Sequence, residues 1–129
     1  MMSKVKDGLS VAVGAFLGGM SRLFIGQLIG ATFPIATILV NLIGCFLLTF
    51  FTTYTEEYIP LPRWLVLGFG TGFLGAFTTF SSLTLDALHL LQTGHYMHWF
   101  IYSLLSIIGG VVFAVLGFII APKRKGQDK

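Results

Sequence analysis

The chain has 129 residues, 55% of them hydrophobic and only 10% charged, with a formal net charge of +3 and a mean hydropathy of +0.87. Soluble domains carry about a quarter charged residues, so so apolar and short a chain excludes a soluble fold and predicts an integral membrane protein. Its basic residues sit at the ends and not on one patterned face, which excludes a nucleic-acid binder, and the lone Cys45 excludes a disulfide scaffold.

Four apolar stretches follow one another, at about residues 8–29, 33–54, 64–91 and 99–121. A helix needs roughly 20 apolar residues to cross the bilayer, so the expected class is all-α and integral to the membrane, with four transmembrane helices forming a single domain over residues 1–129. Lys4 and Lys6 before the first stretch resemble a signal-peptide flank. The stretch exceeds a typical h-region and lacks a cleavage pattern leading into a soluble domain, so it reads as retained. Gly30-Ala31-Thr32, Thr55 to Arg63 and Gln92 to His98 form the short connections, with Trp64, Tyr96 and Trp99 as interfacial anchors. Such loops leave no room for an extramembrane domain, so the activity is expected within the bilayer. With four crossings, both termini and the second connection share a side. That side holds Lys4, Lys6, Arg63, Lys123, Arg124, Lys125 and Lys129, against Arg22 on the other. Positive charge faces inward, which predicts both termini in the cytoplasm of a cell-membrane protein.

Polar groups at membrane depth are costly and mark partners or cavities. In the first stretch Gly14, Gly18, Gly26 and Gly30 recur at multiples of four residues, spacing that lets helices approach closely. Arg22 shares their register and reads as a structural anchor near the aqueous end. For Asn41, both an interhelical hydrogen bond and a pore role are open. The third stretch, about 28 residues and about 42 Å as a straight helix, is too long for one upright crossing. Its centre runs through Gly68, Gly70, Gly72 and Gly75 into Thr78, Thr79, Ser81, Ser82 and Thr84. That composition makes poor helix and predicts a break mid-membrane, which is tolerated where freed carbonyls line a cavity or hold an ion. Asp86 reads either as a buried acid or as a residue of the far interface. In the last stretch Tyr102 and Ser106 present two hydroxyls one turn apart. His95 and His98 lack a third ligand and read as interface residues, and Cys45 as core. No carboxylate pair, activated nucleophile or phosphate loop points to an enzyme.

Gly18-Gly19-Met20-Ser21-Arg22, Thr37-Ile38-Leu39-Val40-Asn41 and Gly75-Ala76-Phe77-Thr78-Thr79-Phe80-Ser81 resemble, in order and spacing, the fluoride channel family (Fluc, also called CrcB). The third motif is the specific one, and the resemblance covers nearly the whole chain. It implies an antiparallel dimer of four-helix subunits with two narrow fluoride pores. It also implies a structural sodium ion, not transported, on the main-chain carbonyls of Gly75 and Thr78. By the same resemblance Asn41 and Phe80 line the pore, with Tyr102 and Ser106 as the hydroxyl track of the last helix. Ser81 joins them as a neutral donor. Such groups replace fluoride's water without trapping the ion as a fixed Lys or Arg would, and aromatic ring edges carry partial positive charge.

Three positions depart from the family pattern: Leu83 replaces its second phenylalanine, Gly75-Ala76 its paired glycine, and Gly110 the last hydroxyl of the track. The expected function is a fluoride-selective channel subunit that passively exports cytoplasmic fluoride and so reduces its toxicity. The alternatives are a proton-coupled small multidrug exporter, which needs an acid missing between Gly8 and Ile29, and a non-conducting structural subunit. The partners expected are fluoride, membrane lipid and a second subunit. The seven-to-one charge bias and Leu83 set a heterodimer with an oppositely oriented homologue beside the homodimer.

Overall fold

The computed structural model describes residues 1–30 and 34–122. Ala31 and Thr32 of the first connection, and Lys123, Arg124, Lys125 and Lys129 of the charge bias, lie outside the described residues. All regular structure among the described residues is helical: α1 (Met2–Ile29), α2 (Ile35–Glu57), α3 (Arg63–Val66), a π-helical segment (Leu67–Leu74), α4 (Gly75–Phe77), α5 (Phe80–Gln92) and α6 (Tyr96–Ile120). They make four helical rods long and apolar enough to cross a membrane, Met2–Ile29, Ile35–Glu57, Arg63–Gln92 and Tyr96–Ile120. The protein is a multi-pass membrane protein.

Helices outrun the apolar stretches at several ends. α1 begins at Met2, before Lys4, Lys6 and Asp7, and α2 continues to Glu57. Hydropathy marks where hydrocarbon begins, whereas helical hydrogen bonding continues into the interface. α1 stops at Gly30, whose left-handed backbone (φ 49°) suits glycine and whose amide closes onto the Gly26 carbonyl. Pro60 and Pro62 stand between α2 and α3, and Pro62 caps α3 with φ −57°.

Two packing pairs build the subunit: α1 lies along the π-helical segment, and α2 along α6. The first is backbone on backbone. Gly14 and Gly18 are buried, and a Cβ on either would strike the carbonyl of Gly68 or of Phe73. Gly72 answers from the other side, where an added Cβ would lie 2.6 Å from the Val11 carbonyl. The small-residue stripe of α1 is therefore a packing surface as far as Gly18. Beyond it the register is unused, since Gly26 has open space beside it. The α2–α6 pair is tight at Gly117, where a Cβ would meet Thr49 and the Phe46 carbonyl. Aromatic ladders run at i, i+4: Phe46, Phe50 and Tyr54 on α2 with Tyr58 at its C-cap, and Phe69, Phe73 and Phe77 on the third rod. Phe51 of α2 meets Phe69 edge to face at 4.7 Å and ties α2 to the ladder of the third rod.

Candidate functional site

The helical hydrogen-bond pattern changes twice along the third rod. Leu67–Leu74 has π geometry, a rare i→i+5 arrangement found mostly as single turns and often at functional sites. Three residues later, Thr78 (φ −76°, ψ 151°) and Thr79 (φ −147°, ψ 122°) adopt extended backbone between α4 and α5. The π-helical turns are not legible in the sequence, because several glycines disfavour any helix without selecting this one.

Side chains hold the extended pair in place. In a continuing α-helix the Thr79 amide would bond the Gly75 carbonyl, and the Ser82 amide the Thr78 carbonyl. Asn41 Oδ1 instead accepts the Thr79 amide at 2.7 Å, while Asn41 Nδ2 donates to the Thr79 carbonyl at 2.9 Å. The Ser82 amide donates to Thr79 Oγ1 at 3.1 Å, an N-cap that starts α5. Thr78 Oγ1 reaches back to the Leu74 carbonyl at 3.1 Å and the Gly75 carbonyl at 3.3 Å. The two carbonyls singled out from sequence, Gly75 and Thr78, are thus the two whose helical amides are held elsewhere. Asn41 makes the interhelical bond that its sequence reading left open, and one of its two N–H groups remains for another acceptor.

A second joint lies farther along α5. Asp86 Oδ2 accepts from Thr37 Oγ1 at 2.7 Å and from Tyr102 Oη at 3.3 Å, joining α2, α5 and α6 at one oxygen. Tyr102 is fully buried. Asp86, read from sequence as a buried acid or a residue of the far interface, is half-buried. Thr37 and Asp86 are 49 residues apart, so no local pattern pairs them. The only sequence signal was an acid inside an apolar stretch.

One turn beyond Tyr102, Ser106 Oγ is buried with no hydrogen-bond partner among the described residues. Such a group costs about 1–3 kcal/mol, so a hydroxyl left this way suits a transient acceptor. Arg22 Nε is likewise buried and unpartnered. Arg22 lines a cavity of about 340 Å³ whose other polar walls include Gln27, Thr37, Thr79 and Ser82. That position gives the residue read as an anchor a further property, a cation facing the polar seam. Thr79 Oγ1 and Ser81 Oγ lie 3.3 Å apart. Phe80 points away from the subunit with 79% of its surface exposed.

The arrangement thus combines neutral donors (Asn41, Ser81, Tyr102, Ser106), one cation beside a cavity, and an exposed ring. Among the described residues no three His, Cys, Asp or Glu side chains come together as a metal cluster. Comparison with known proteins gives this geometry a context. Residues 9–118 match the family described as "CrcB-like protein, Camphor Resistance (CrcB)". The chain is similar to "Fluoride-specific ion channel FluC 1" of Lactobacillus johnsonii, 43% identical over 127 residues, covering 98% of this chain and 95% of the relative. It is also similar to the FluC 1 protein of Bacillus cereus strain ATCC 10987 (40% over 112 residues, 84% and 82%). "Fluoride-specific ion channel FluC 2" of Listeria monocytogenes strain EGD-e is 42% identical over 127 residues, 94% of this chain and 96% of that protein. On the extent of these matches, the chain belongs to the CrcB family of membrane proteins.

Proposed function

We propose that this chain is a subunit of a fluoride-selective channel in the cell membrane, acting not as an enzyme but by letting cytoplasmic fluoride flow out passively. The names of its relatives support the ion. The observation that carries the reading is the diversion of the Thr79 and Ser82 amides by Asn41 and Thr79 Oγ1. Fluoride is small and strongly hydrated, and a conducting path must replace its water with hydrogen-bond donors that still release it. Asn41 has an N–H to spare, Ser81 and Ser106 have hydroxyls, and Tyr102 donates once its bond to Asp86 exchanges. Arg22, at the wall of the cavity, raises the local anion concentration without standing in the narrow part.

In this reading the extended Thr78-Thr79 backbone lies at membrane depth, where irregular backbone is tolerated next to a cavity. A sodium ion would sit on the Gly75 and Thr78 carbonyls. Oxygen donors with no acid among them suit so hard a monovalent cation, and carbonyls at a helix C-terminus carry partial negative charge. When bound, sodium would supply a fixed positive charge beside the extended backbone and favour an anion nearby. The exposed Phe80 ring fits a pore wall completed by a second, antiparallel subunit. Both termini face the cytoplasm by the charge bias. That bias and Leu83 place a partner that is an oppositely oriented homologue on a level with a second copy of this chain.

The test is efflux from liposomes containing the purified chain, alone and co-expressed with a homologous subunit. Fluoride should leave far faster than chloride in at least one of the two preparations. Equal rates for the two halides, or silence in both preparations, would sink the channel reading and leave a structural subunit. Conduction by the chain alone would remove the heterodimer.

A further inference from the structure

We infer that the surface between α1 and the rod formed by α3 and the π-helical segment is a binding site for an anionic phospholipid, one acyl chain lying in an apolar groove and the headgroup in a cationic bowl above it. The groove has a volume of about 450 Å³, and its apolar walls include Leu9, Val13, Leu17, Leu65, Phe69 and Phe73. The bowl, about 400 Å³, is lined by Ser3, Lys4, Lys6, Asp7, Arg63 and Trp64. The two share Lys6 and Trp64, so one continuous surface changes from charged to apolar at that pair. Lys6 Nζ stands 4.7 Å from the centre of the Trp64 ring, the place of an interfacial anchor.

Three observations commit the occupant. The length fits: Lys6 to Leu17 along a helix is about 16 Å, close to half of the roughly 30 Å hydrocarbon core, so the groove accepts a chain from one leaflet. The charge fits as well. Three cations face the bowl against one acid, and that acid, Asp7, pairs with Arg63 at 3.3 Å. A net positive bowl selects a headgroup with net negative charge over a zwitterion. The floor fits because Gly14 and Gly68 contribute backbone to it, which keeps the groove open between the side chains of its walls. This site is separate from the polar seam and does not depend on which ion the protein conducts.

Full-length protein, stripped of lipid in detergent, would be titrated with phosphatidylglycerol or phosphatidylcholine of identical acyl chains, with bound lipid counted by native mass spectrometry. Phosphatidylglycerol should bind roughly tenfold more tightly, in line with its extra charge near basic side chains. The triple variant Lys4→Gln, Lys6→Gln, Arg63→Gln should remove that preference, whereas Lys4→Arg with Arg63→Lys should keep it. Asp7→Asn should increase it. Val13→Trp, which fills the groove from an exposed position, should weaken both lipids. Equal binding of the two lipids, or a preference that survives the triple variant, overturns the site. So does full competition by inorganic phosphate, which would mark a free-anion site. A second copy of the chain is the remaining occupant. If Val13→Cys in a Cys45→Ala background cross-links efficiently to itself in membranes, the groove is a subunit interface and the lipid reading falls.

Discussion

The two halves of the third rod are held by opposite means. From Arg63 to Phe77 it presses against α1 through bare backbone, glycine to carbonyl, with little polar contact between side chains. From Thr78 onward polar side chains tie it to its neighbours: Asn41 on the extended pair, Thr79 on its own α5, Asp86 on Thr37 and Tyr102. The first half depends on the absence of atoms and the second on particular ones. One end of the rod is thus fixed by close backbone approach and the other by side-chain hydrogen bonds.

The largest effect should come from adding one carbon to the first half. Gly18→Ala drives a Cβ into the Phe73 carbonyl, where only backbone movement can relieve the clash, and should cost about 3 kcal/mol, the upper end for overpacking. Reversible unfolding in mixed micelles would measure it, and a neutral result would dissolve the contrast. Next, Asn41→Ala leaves the Thr79 amide and carbonyl without their partner. A loss of about 2 kcal/mol is expected, together with loss of fluoride efflux and altered hydrogen exchange at Thr79. If efflux persists, Asn41 is dispensable to the seam.

How far these regions are legible in the sequence differs in the same way. The glycine stripe, the four crossings and the turn from glycines to hydroxyls around Gly75 to Thr84 are local patterns, read directly along the chain. The stripe's useful length is not local: Gly26 shares the spacing of Gly18 but meets nothing, because the rod opposite has moved away by then. Likewise Asp86 and Arg22 could be marked as costly, but their companions come from other helices. Tertiary approach decides what each charge faces, and composition carries no record of it.

Smaller effects sharpen the comparison. Tyr102→Phe removes one donor from Asp86 and one hydroxyl from the last helix. It should cost about 1 kcal/mol and slow fluoride efflux severalfold, whereas a change in stability alone would confine Tyr102 to the joint. Leu83→Phe, which adds the ring edge that the family pattern has, should raise efflux with little change in unfolding. The smallest change has the opposite sign. Gly26→Ala, in open space within α1, should stabilise by about 0.5 to 1 kcal/mol through helix propensity, and destabilisation there would show that the stripe is used along its whole length.

The π-helical segment has one more consequence. A turn closed by i→i+5 bonds contains one residue more than an α turn, so Leu67–Leu74 stores slack in the chain. A single-residue deletion inside it can be absorbed by tightening to α geometry, with the deficit taken up before Thr78 reaches Asn41. The same deletion in α5 has no such reserve and would rotate Asp86 away from Thr37 and Tyr102. The third rod therefore carries a spare residue on one side of its extended pair and none on the other, and the glycines packed on α1 limit where along Leu67–Leu74 that residue can be lost.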